Sequence, residues 1–101
     1  MNVKRGRRLL SLLSCLAAAS ACGKRLDAAE CERMLDRYVE LLARDDRPDS
    51  SPDELFRLQQ EARKKARRDP AFHACAERVS RSAYECAMQA PNADKLEQCL
   101  L

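Results

Sequence analysis

Apolar residues recur at three- and four-residue steps through most of this chain, which is the period of a helix. Cys31, Met34, Leu35, Tyr38, Leu41 and Leu42 share one face of a helix expected over about residues 28–44, with Arg33, Asp36, Arg37, Glu40 and Arg44 on the other side. Asp27-Ala28-Ala29-Glu30 reads as its capping box, Asp27 at the N-cap and Glu30 reaching back from the third helical position. A polar turn from Asp45 to Ser50, broken by Pro48, leads to Ser51-Pro52-Asp53-Glu54, a second capping box with proline at the first helical position. The second helix runs to about Arg68, with Leu55, Leu58, Ala62 and Ala66 inward and Phe56 beside them. So short a connection predicts an antiparallel hairpin.

Asp69-Pro70 opens a short third helix carrying Phe72, Cys75, Ala76 and Val79 on one face. Ser80 or Ser82 opens the fourth, with Tyr84, Ala87 and Met88 inward and Cys86 on a flank. Pro91-Asn92 closes it, and Asn92 caps a last helix bearing Leu96, Cys99 and Leu100. Few β-branched residues are present to build strands, and abundant Ala, Leu, Glu and Arg favour helix. The expected fold is all-α, a small bundle of four or five short helices.

The first residues break the pattern. Lys4, Arg5, Arg7 and Arg8 are basic with no acidic neighbour, and Leu9–Ala21 carries no charge. Thirteen such residues are fewer than the roughly twenty that a bilayer-spanning helix needs. A basic start, a short apolar run and small residues at its end form a secretory signal. Ala19-Ser20-Ala21 suits ordinary signal peptidase, and Ala19-Ser20-Ala21-Cys22-Gly23 resembles the lipobox of bacterial lipoproteins, with alanine where that family usually has leucine. The resemblance implies a cut before Cys22 and a lipidated (diacylglyceryl, palmitate-type) cysteine as the first mature residue. Leu12-Leu13-Ser14-Cys15 has the leucine but leaves too short an apolar run before its cut. The division expected is 1–21 signal peptide, 22–26 lipid-attachment cysteine and tether, and 27–101 a helical four-cysteine domain.

Cysteine parity agrees. Removing residues 1–21 leaves Cys22, Cys31, Cys75, Cys86 and Cys99, an odd set that calls for an explanation in an exported protein. Lipid on Cys22 leaves four, and in an oxidising compartment two disulfides are the expectation. Three connectivities are open. The preferred one joins Cys86 to Cys99 across the Pro91-Asn92 turn and Cys31 to Cys75 around the second helix.

The formal net charge of +3 invites a nucleic-acid reading that fails once the leader is set aside. Four of the 19 Lys and Arg lie in the leader, so fifteen face 16 Asp and Glu, and phosphate-backbone capture loses its global support. What remains is local: Arg63, Lys64, Lys65, Arg67 and Arg68 gather at the end of the second helix. They form a candidate patch for an anionic partner, an envelope polymer or headgroups, against the plainer reading of cations complementing a helix C-terminus.

No pattern of catalysis emerges. C-x-x-C, H-E-x-x-H, G-x-S-x-G and phosphate-binding glycine loops are absent. Structural zinc usually shows C-x₂₋₄-C pairs, and the nearest approach here is His73-Ala74-Cys75, whose ends point apart on a helix. A metal or redox role for His73 and Cys75 is therefore a minor alternative; no cofactor and no enzyme activity is expected. In its leader, Cys22 and loose Cys31…Cys75…Cys86…Cys99 arrangement the chain resembles the small, cysteine-bearing, helical lipoproteins of myxobacteria. That resemblance implies a lipid-anchored place in the cell envelope, at the outer membrane or facing the periplasm, as a structural or interaction module. The alternative is a soluble secreted domain released by ordinary signal peptidase.

Overall fold

The computed structural model describes residues 25–101, so the expected signal peptide, its cut and Cys22 lie outside the described residues. The rest is all-α, with no strand among the described residues. Six helices follow in order: α1 Ala28–Asp46, α2 Pro52–Arg67, α3 Pro70–His73, α4 Cys75–Arg78, α5 Arg81–Gln89 and α6 Ala93–Leu100.

Local chemistry starts each long helix. Asp27 accepts from the Glu30 amide at 2.7 Å and the Glu30 carboxylate accepts from the Asp27 amide at 3.2 Å, completing the first capping box. Leu26 and Cys31 occupy the flanking positions of a hydrophobic staple and belong to one buried cluster. Ser51 caps α2 through the Glu54 amide, with Pro52 next to it. The second capping box does not close, because the Glu54 carboxylate accepts instead from Arg47 Nη1 at 2.7 Å, across the turn. Asp69 caps α3, Ser80 rather than Ser82 caps α5, and Asn92 caps α6.

α1 is the spine. It pairs antiparallel with α2 on one side and meets α4, α5 and α6 on another. Cys31, Met34 and Leu41 are buried on its inner stripe, and Tyr38 packs against them. Leu42 lies one helical step off that stripe and is 38 % exposed; it turns toward the open seam with Leu58 and Ala62 of α2. The core is completed by Leu96 and by Ala87, Ala90 and Ala93, small residues that let α5 and α6 approach closely around their corner. Leu41 and Leu96 are the largest fully buried side chains, which shows how thin the core is.

Two disulfides staple it: Cys31–Cys75, spanning 44 residues, and Cys86–Cys99, spanning 13. The first is buried against α1; the second lies at the surface, with Cys86 exposed. Both are the preferred pairing.

The single helix expected after Asp69 is two one-turn helices, which brings the total to six. Ala74 interrupts it with φ −80° and ψ −2°. The residues on either side of the break are held elsewhere: His73 Nε2 donates to the Arg67 carbonyl at 2.7 Å, and Cys75 is bonded to Cys31.

Candidate functional site

Of the candidate basic run, only part is free surface. Arg63 turns inward across the hairpin, where its Nε donates to Asp36 Oδ1 at 3.0 Å and its Nη2 to Asp36 Oδ2, with Glu32 3.4 Å from Nη1. Gln59 adds a bond from its amide nitrogen to the Asp36 carbonyl at 3.2 Å. These contacts hold α2 against α1, so Arg63 is a structural clamp. Lys64, Lys65, Arg67 and Arg68 are exposed and make no ion pair among the described residues. Lys64 and Arg68 lie opposite the buried Ala66 on the last turns of α2, while Lys65 and Arg67 flank it, Lys65 bordering the seam with Leu58 and Ala62.

His73 and Cys75 share no ligand geometry. The histidine ring is engaged with the Arg67 backbone, and the Cys75 sulfur is in the buried disulfide. Among the described residues no group of three or more His, Cys, Asp or Glu side chains could hold a metal ion. No described helix is long and apolar enough to cross a membrane.

Among the described residues a part-buried polar cluster forms around a side chain that sequence reasoning assigned only to a cap. Glu30 is 8 % exposed, and Arg81, from the first turn of α5, reaches both its oxygens, at 3.0 Å from Nη2 to Oε1 and from Nη1 to Oε2. The same Nη2 donates to the Arg25 carbonyl at 3.2 Å, tying the entering chain to the domain. The hydrogen bonds from Arg81 hold the Glu30 carboxyl below its ordinary range, against the opposing effect of burial. Arg81 also lies 5.8 Å over the Tyr84 ring. Fifty-one residues separate Glu30 from Arg81, and no local spacing signals such a pair.

Between α1, α3, α4 and α6 an apolar groove of about 340 Å³ opens beside the Cys31–Cys75 bridge, walled by Met34, Leu35, Phe72, Val79 and Leu100. Its polar edge is the Tyr38 hydroxyl donating to Glu97. This bond, with burial and the carboxylate's charge, pushes the Tyr38 phenol above its ordinary range. A phenol held protonated against a carboxylate joins α1 to α6; it is poorly disposed to act as a base. The surface features are therefore a cationic helix end and a shallow apolar groove, both suited to binding. Phe56 on α2 is a further exposed apolar side chain, 62 % exposed. No protein-family model matches this chain, and neither a curated protein nor a solved structure does.

Proposed function

We propose that the protein is a small envelope-anchored lipoprotein of the kind encoded by myxobacteria, in which lipid on Cys22 holds a helical interaction module close to a membrane. It acts by presenting a surface at high local concentration, and no chemistry is assigned to it. One observation carries this reading: the four cysteines of the folded part pair among themselves. After a cut before Cys22, that leaves the cysteine of Ala19-Ser20-Ala21-Cys22 as the one without a partner among the described thiols, in the position a lipoprotein uses. Partners would be an envelope protein or an anionic component of the envelope; nucleic acid is not expected, because the mature charge is nearly balanced.

The test is an intact mass of the chain recovered from the membrane fraction of an exporting bacterial host, alkylated with and without prior reduction. A start at Cys22 carrying lipid mass, with four thiols alkylated only after reduction, is the expected result. An unlipidated start overturns the anchor and makes the protein a secreted domain. Thiols alkylated without reduction bring the His73 and Cys75 alternative forward.

A further inference from the structure

The hairpin sorts charge along the molecule in a way the linear chain hides. Arg63 on α2 is level with Glu32 and Asp36 on α1, and Glu54 with Arg47, so the two helices run antiparallel over their length. The end of α2 therefore lies beside the start of α1, where the chain enters from Cys22. At this pole nine cations, Arg25, Arg33, Arg63, Lys64, Lys65, Arg67, Arg68, Arg78 and Arg81, face seven carboxylates, Asp27, Glu30, Glu32, Asp36, Asp69, Glu77 and Glu85. Five of those carboxylates are also engaged: Glu30 by Arg81, Glu32 and Asp36 by Arg63, Asp27 and Asp69 at helix caps.

The other pole is opposite in sign. From Glu40 round the turn to Glu61 there are three arginines and seven carboxylates. The 19 residues of α1 place the poles about 28 Å apart. Antiparallel helix dipoles largely cancel at each end, so the side chains decide the field.

We propose that the pole at the tether end rests on anionic phospholipid headgroups, with Lys64, Lys65, Arg67 and Arg68 facing the bilayer and the acidic hairpin tip pointing away. This deepens the anchored reading and rests on it. Cys22 and Arg25 are three peptide steps apart, so their Cα atoms are separated by at most about 11 Å. An anchor on Cys22 thus keeps this pole within about a screening length of the surface. The field attracts the four cations at the surface and would repel the acidic tip only if the domain tilted to bring it close, so both effects disfavour the tilted orientation. Lipid supplies proximity; charge supplies direction.

The exported chain carrying Cys22→Ser separates the two contributions. Its binding is measured at low salt by co-sedimentation with phosphatidylcholine vesicles, with and without phosphatidylglycerol. Binding to the anionic vesicles should be at least about tenfold tighter than to neutral ones and should fall as salt rises. Replacing Lys64, Lys65, Arg67 and Arg68 together by glutamine should remove that difference, while Arg44, Arg47 and Arg57→Gln at the tip should leave it in place. Circular dichroism of each variant checks that the helices persist. Equal binding to both vesicles, no binding to either, or a four-site variant that binds like its parent overturns the proposal. The mass of the unsubstituted chain reports the anchor separately: lipid on Cys22 without charge-dependent binding leaves the anchor and removes the docking pole, and the converse result removes the anchor alone.

Discussion

Glu30 does two jobs with one carboxylate. It closes the α1 capping box with Asp27, and it receives Arg81 from a helix that begins fifty residues later. A buried carboxylate left without its cation would keep the cost of desolvation and lose the compensation. Replacing Arg81 by methionine should therefore lower Tm by several degrees at neutral pH, more than replacing an exposed cation such as Arg57. The pH dependence follows from the direction of the Glu30 shift. Its folded-state pKa is depressed below 4.5, so its contribution is present above that ordinary value and is lost as pH falls through the folded one. Thermal melts across the acid range should show this loss in the parent and a shallower dependence in Arg81→Met; equal slopes would mean that the pair does not couple folding to protonation. The Asp27–Glu30 half of this cluster was legible from a three-residue spacing. Arg81 was not, because an ion pair between distant helices leaves no period in the sequence. Arg63 shows the same limit: read along the chain it belongs to a basic run, and only the antiparallel pairing shows it spent on Asp36 and Glu32.

The helices themselves follow from local signals, since a capping side chain and a proline at the first turn act within a few residues. What the elements need is fastening, because each of the last four is short and buries few side chains. The disulfides provide it. By loop-closure entropy the 44-residue Cys31–Cys75 loop contributes about 4 kcal/mol and the 13-residue Cys86–Cys99 loop about 3 kcal/mol. Replacing Cys31 and Cys75 together by serine should accordingly cost more in urea unfolding than replacing Cys86 and Cys99. Their surroundings also differ: Cys31 and Cys75 are 3 % and 7 % exposed, while Cys86 faces solvent. Brief treatment with a thiol reductant should therefore open Cys86–Cys99 first, and peptide mapping after alkylation would show which pair is labelled. Early labelling of Cys31 and Cys75 would mean that the core around them opens readily. The pairing was one of three available to four cysteines, and the hairpin tips the choice by returning the chain beside the start of α1. The break at Ala74 had no comparable signal, since Phe72, Cys75, Ala76 and Val79 keep a helical period through it.

On the scale of the whole molecule the domain is unevenly held. α1, α5 and α6 share the buried cluster with Cys75, whereas α2 contributes only Ala66 to the buried residues and meets α1 through a half-open seam of Leu42, Leu58 and Ala62 together with the polar bonds of Gln59 and Arg63. Because Cys31–Cys75 brackets α2, that helix can loosen while both ends of its segment stay fixed. Amide exchange should accordingly be fastest, among helix interiors, in α2 and slowest in the central turns of α1 around Leu41 and Met34. Uniform protection would mean that the Arg63 clamp is stronger than its exposure suggests. The sequence by itself determined the all-α class, the extent of the two long helices and the residues that cap them, because each depends on residue identity or on spacings of a few positions. Tertiary structure alone decided that Arg81 belongs to Glu30, that Arg63 leaves the basic run, and that opposite charges collect at opposite ends. These depend on which distant segments the folded chain brings level with one another, and only packing sets that.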